Sequence, residues 1–187
     1  MKFSRTELAG LIVCEPTVYG DERGYLVETF RQDKLEKFLG CKIDFVQDNE
    51  SKSSFGVLRG LHYQLPPHSQ AKLVRVIEGS VLDIAVDIRK NSPTFGKHVA
   101  IELTGANKKQ LLVPRGFAHG FVVLSDFAVF SYKVDNIYAP DYQAGILWKD
   151  KELGIKWGIK ESEIFTSFKD EKLPSLSKLK SPFKLVI

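Results

Sequence analysis

Cysteine, methionine and long apolar runs are scarce in this chain of 187 residues, which has two Cys and one Met. Cys14 and Cys41 form no CxxC pair and show no metal-ligand spacing, so a zinc or dithiol centre is not expected. No apolar run approaches the roughly 20 residues that a membrane helix needs. The opening MKFSRTELAG lacks the apolar core of a signal peptide. A cytoplasmic setting with reduced thiols is therefore expected. Charge of one sign is also missing in bulk. The net charge is +4, and the 27 Lys and Arg are spread along the chain. No basic arm or amphipathic basic helix is present, which argues against nucleic acid and membranes as partners but leaves room for a small anionic ligand such as a phosphate ester. GxSxG, Walker and GxGxxG motifs are absent as well, and neither cysteine sits in a basic or glycine-rich setting that would activate a thiolate.

What is present is ordinary for a globular domain: 43% hydrophobic and 27% charged residues, with thirteen Phe and six Tyr. Rigid aromatics and β-branched residues favour strands. Short runs such as LIVCEPTVY, CKIDFVQ, KLVRVIEGSVLDIAVDI, HVAIEL, KQLLVP, GFVVLS and FAVFSYKV alternate with the turn signals YGDERG, RKNSPTFG, TGANKK and PRG. Glu78-Gly79-Ser80 reads as a hairpin turn. The segment 30–40 places Leu35, Phe38 and Leu39 on one helical face and stops at Gly40. A second short helix is expected within 149–166. The whole predicts one all-β domain over 1–187, an antiparallel jelly roll or sandwich with a few short peripheral helices. The stretch from about 173 to 187 is expected to be irregular and peripheral.

Four histidines are available: His62, His68, His98 and His119. A strand histidine is by itself most simply a core ring bonded to backbone. The neighbours of His62 change that balance, because Arg59, Lys72 and Arg75 follow or precede it closely. In a regular strand Arg59 and His62 point to opposite faces. Gly60 between them marks a plausible bulge, which would bring both into one cavity. Tyr132 shares a face with Phe130 and Val134. Read alone, Lys72 is an edge charge, Asp170 an exposed turn residue, and Arg23 with Glu28 a surface ion pair. Five residues, including Pro66-Pro67, separate His62 from His68, without the closely spaced histidine pair and nearby glutamate of a metal-binding barrel, so no metal is expected. A histidine, a tyrosine, a lysine and arginines in a β-barrel suit proton transfer on an anionic substrate without a cofactor.

The ordered motifs GDERGYLVETF (20–30), FVQDNES (45–51), VLRGLHYQ (57–64), KLVRVIEG (72–79), DIAVDIRKNSPTFG (83–96), PRGFAHGF (114–121), YKVDNIY (132–138) and GILWKDKELGIKW (145–157) closely resemble the dTDP-4-dehydrorhamnose 3,5-epimerase family. The resemblance implies a cupin-type jelly roll, a homodimer, no metal or coenzyme, and a dTDP-linked 4-keto-6-deoxyhexose as substrate. It also implies roles. His62 is the base, Tyr132 the acid and Asp170 the carboxylate that steadies the base. Lys72 faces the developing oxyanion at O4. Arg59 and His119 contact substrate; Arg23, Glu28, Gln47 and Asn49 match other substrate positions, some of which serve a neighbouring subunit. Tyr138 packs on the nucleotide base, and Lys169 contacts the nucleotide side. Two positions depart from the pattern. Gln143, at a substrate-contacting position, and Arg115 stand where many members have glutamate. The first leaves open a 3-epimerase acting on another dTDP-deoxysugar; a non-catalytic sugar-binding jelly roll is the alternative of a different class.

Overall fold

A computed structural model describes residues 1–185. Two antiparallel sheets face each other. The six-stranded sheet runs in the order β1 (Lys2–Arg5), β2 (Ile12–Glu15), β10 (Gln110–Val113), β7 (Lys72–Glu78), β12 (Phe127–Val134), β5 (Gln47–Ser54). The five-stranded sheet runs β13 (Gln143–Gly145), β6 (Leu58–Gln64), β11 (Phe117–Val123), β8 (Ser80–Asp87), β9 (His98–Thr104). A separate ribbon, β3 (Val18–Asp21) with β4 (Gly24–Val27), carries exposed Tyr19, Tyr25 and Leu26. This is the expected antiparallel jelly roll.

Period-2 alternation explains which faces meet. Val74, Val76, Phe130, Val81, Ala85, Phe121 and Val123 fill the space between the sheets. On the outer face of the five-stranded sheet, Leu61, Ile84, Val86, Ala118 and Val122 are covered by Ile146, Trp148, Leu153 and Trp157. The outer face of the six-stranded sheet is covered in part by α1 (Gln32–Leu39), where Leu35 is buried against Ile12, Leu73 and Leu112. Full burial of a leucine of this kind is worth about 1.5–3 kcal/mol. Gly40 ends α1 as expected, at φ +76 with its N–H donating to the Glu36 carbonyl at 2.8 Å.

Three expectations are corrected. Glu78-Gly79-Ser80 is not a hairpin: β7 and β8 belong to different sheets, and Gly79 (φ +80) turns the corner between them. A Cβ there would collide with the Phe127 carbonyl, so the corner admits only glycine. The strand expected over 41–47 begins only at Gln47 and runs on to Ser54, while Phe45 and Ile43 pack against the α1 cluster. The segment 149–166 holds a single 3₁₀ turn at Glu161–Glu163, and the second helix, α2, is one turn at Phe168–Glu171. Residues 173–185 are largely irregular, yet Ser181 is buried with its hydroxyl donating to the Ile88 carbonyl, and Phe183 packs edge-on to Tyr63.

Candidate active site

The register between β6 and β11 decides how the site is built. His62 pairs with His119 and Arg59 with Phe121, so two residues on β6, Gly60 and Leu61, oppose the single Gly120. That extra residue is a bulge, and it cancels the alternation that would otherwise send Arg59 and His62 to opposite faces. Gly60 has φ +153, and a Cβ on it would lie 2.6 Å from the Gly120 Cα. Both glycines are needed for the two backbones to approach this closely.

The bulge opens Arg59 and His62 into a cavity of about 630 Å³ between the two sheets. From the five-stranded sheet come Arg59, His62, His119 and Phe121; from the facing sheet come Lys72, Phe130, Tyr132, Asn49 and Ser51. Tyr138, Gln143 and the segment Phe165–Asp170 complete the lining. His62 and Tyr132 therefore enter one space from opposite walls.

Two imidazole–carboxylate pairs stand side by side. His62 Nε2 lies 2.7 Å from Asp170 Oδ1, with the His62 side chain 25% exposed and Asp170 7%. A ring whose Nε2–H is donated to a carboxylate carries its lone pair on Nδ1, where it can accept a proton. His119 Nε2 lies 2.9 and 3.0 Å from the two oxygens of Asp83, which is fully buried. Burial pulls the half-buried Lys72 ammonium down to about 8, against the opposing pull of the Asp83 carboxylate. Burial also pushes the Tyr132 phenol above its ordinary value, opposed by the Arg59 charge and reinforced by Tyr138. Tyr132 thus keeps its proton at neutral pH. Among the described residues, no group of three or more His, Cys, Asp or Glu side chains is arranged to hold a metal ion.

Family-model comparison matches residues 5–178 to dTDP-4-dehydrorhamnose 3,5-epimerase. The chain belongs to this family. The enzyme of that name from Shigella flexneri is 55% identical over 159 residues, covering 85% of this chain and 88% of the relative. Its counterpart from Escherichia coli K12 is 49% identical over 96% of both chains. Among solved structures, the Legionella pneumophila dTDP-6-deoxy-D-glucose-3,5-epimerase bound to dTDP-4-keto-L-rhamnose superposes with a TM-score of 0.91 at 45% identity, covering 96% of this chain and 94% of that one.

Ten of the thirteen residues that the epimerase resemblance singles out line the cavity: His62, Tyr132, Asp170, Lys72, Asn49, Arg59, His119, Tyr138, Gln143 and Lys169. Gln47 stands just behind it, donating to Asn49 Oδ1 at 2.8 Å and accepting from the Tyr138 backbone N–H at 3.0 Å. Arg23 and Glu28 are not brought to it. Arg23 pairs with Asp21 on the exposed ribbon, and Glu28 with Lys34 and Arg31, so the ion pair expected between Arg23 and Glu28 does not form. Asp170, an exposed turn residue when read alone, is buried at 5% because α2 folds it under His62. Gln143 Oε1 accepts from Tyr138 Oη at 2.8 Å and from Lys169 Nζ at 3.2 Å, bridging the cavity rim. Asp83 was not anticipated. Its parity with Val81 and Ala85 marks it as a carboxylate on an inward, otherwise apolar face, which demands a partner.

Proposed function

We propose that His62 removes and Tyr132 returns the protons by which this family member converts dTDP-4-dehydro-6-deoxy-D-glucose to dTDP-4-dehydro-L-rhamnose, with residues 1–187 acting as one domain. The observation that carries this is the placement of these two groups on opposite walls of one cavity, with Asp170 against His62. C3 and C5 of the sugar flank the C4 ketone. Removing either proton leaves an enolate whose charge sits on O4, and returning a proton to the other face inverts the carbon. His62 takes the proton on Nδ1, and Asp170 stabilises the imidazolium so formed. Lys72 neutralises the enolate oxygen, a contribution worth about two to three orders of magnitude in acyl-transfer oxyanion holes. Tyr132, protonated at neutral pH, supplies the new C–H proton, and solvent exchange resets both groups. Arg59 suits the diphosphate, which a guanidinium grips with two parallel hydrogen bonds. No metal or coenzyme takes part in this scheme.

Incubation with dTDP-4-dehydro-6-deoxyglucose in D2O tests it. Deuterium at both C3 and C5 is expected. Deuterium at C3 alone would mean a 3-epimerase, the reading that Gln143 leaves open, and no incorporation would leave only a binding module.

A homodimer belongs to the same proposal. Tyr19, Tyr25 and Leu26 expose apolar surface on a two-stranded ribbon, and Arg23 and Glu28 lie outside their own chain's cavity. Such a ribbon fits a second copy, whose site Arg23 and Glu28 would help complete. Light scattering on the purified chain should give twice the mass of 21.1 kDa. No helix among the described residues is long and apolar enough to cross a membrane, and a cytoplasmic location belongs to the same proposal.

A further inference from the structure

Asp170 is delivered to His62 by α2, which is only four residues long. A single helical turn does not hold itself, because nucleation is unfavourable. Something must fix it to the barrel. Ser167 caps it, accepting from the Asp170 N–H at 3.1 Å, but that contact is local and travels with the turn. Phe168 is exposed, with Lys172 lying over its ring. Lys169 reaches Gln143, an exposed contact at the rim.

Glu171 differs. Its Oε1 accepts from Trp148 Nε1 at 3.1 Å, and its Oε2 pairs with Lys149 Nζ at 2.8 Å. Trp148 is 4% exposed and sits edge-on to Trp157, whose own Nε1 donates to the Trp148 carbonyl at 3.1 Å. The indole is therefore a fixed post in the core that covers the five-stranded sheet. The Lys149 pair is partly exposed and contributes little by itself. Backbone bonds hold the chain on either side of α2, from Leu58 N–H to the Phe165 carbonyl at 2.7 Å and from Leu147 N–H to the Pro174 carbonyl at 2.9 Å, and within the turn the indole contact is the side-chain bond that ties it to a buried post.

We infer that Glu171 is a positioning residue of the reaction: by anchoring α2 to Trp148 it holds Asp170 against His62. It touches no substrate and acts through its neighbour. This rests on the reading of His62 as the base.

The test compares E171A, E171Q and W148F with H62N in steady-state and D2O-exchange assays. E171A should lose about tenfold in kcat with KM within about twofold, since a misplacement near 1 Å can cost up to about 10² in rate. E171Q keeps an oxygen for the indole N–H while losing the Lys149 charge pair, and should recover most of kcat. W148F, which keeps an aromatic ring but no N–H, should match the E171A loss, and the double variant should lose no more than either. The Trp148 indole proton in an NMR spectrum should move in E171A and stay in E171Q. Wild-type kcat in E171A or W148F, equal losses in E171A and E171Q, or a rise in KM alone would overturn the inference. Should E171A fail to fold, the contrast between W148F and E171Q still decides. H62N retaining exchange would remove the underlying assignment of the base; H62N inert beside an unaffected E171A would remove the Glu171 role alone.

Discussion

His62 and His119 face each other directly across β6 and β11, yet their Nε2 atoms go to different carboxylates, Asp170 and Asp83. Burial separates them further: the His62 side chain is 25% exposed and the His119 side chain 7%. The open ring is placed to meet a substrate carbon. The sealed one is clamped by both oxygens of a fully buried carboxylate and shapes the wall around Lys72.

That division predicts what removing the open ring does. His62→Ala should lower deuterium exchange at the substrate carbons by about 10²–10⁴-fold, the usual contribution of a positioned base. Calorimetric binding of dTDP should persist, because His62 is not a diphosphate contact in this scheme. Exchange at a near-normal rate in this variant would remove His62 as the base.

Tyr132→Phe separates the two halves of the inversion. The base is untouched, so a proton should still leave and exchange with D2O. Its return to the opposite face should slow, and NMR of the product should show deuterated sugar of unchanged configuration. Inverted product at the normal rate would show that the acid lies elsewhere.

Lys72 gives a pH prediction with a defined sign. Its folded value of about 8 is below the ordinary 10.5 because burial disfavours the charged form. If the ammonium neutralises O4, the alkaline limb of kcat/KM should lie near 8, with activity falling as pH rises through it. Lys72→Met should lose about 10²–10³-fold in kcat/KM and abolish that step. Stability runs the other way. Between about 8 and 10.5 the unfolded chain binds the proton and the folded chain does not, so the wild type gains stability as pH rises through this window. Lys72→Met should therefore melt higher than wild type at pH 7, with the advantage shrinking above pH 8. A variant that melts lower at pH 7 would mean that the ammonium stabilises the fold.

Much of this was legible in the residues because local rules and tertiary demands agree. Alternation in β7, β8 and β12 reports buried strands, and Gly40 reports the end of α1. Legibility fails where the interior is a site. The inward residues of β5 are Gln47, Asn49, Ser51 and Ser53, facing Val134, Tyr132, Phe130 and Ala128 across the ladder. A polar lining erases the apolar alternation by which a strand is found. Asp170 fails for another reason. Its partner lies 108 residues away, and only the packing of α2 turns an apparent surface carboxylate into a buried one. The family resemblance supplied Asp170 where residue-level reading could not. The bulge at Gly60 was visible from chemistry alone, since two polar groups of opposite parity needed one irregularity between them.

The bulge also gives the sharpest structural prediction. Gly60→Ala must place a methyl group 2.6 Å from the Gly120 Cα at φ +153, and Gly120→Ala must place one 2.7 Å from the Arg59 carbonyl oxygen. Neither obstacle is the flexible end of a side chain, so β6 and β11 must move apart or the extra residue must be expelled. Overpacking of this kind costs about 1–3 kcal/mol, and the backbone strain at Gly60 adds to it. Expulsion would restore simple alternation and turn Arg59 away from the face that His62 occupies. Gly60→Ala should thus lower the midpoint of urea unfolding and, in the folded fraction, weaken dTDP binding and slow exchange together. Loss of stability with both functions intact would show that Arg59 and His62 do not depend on the bulge to share a face.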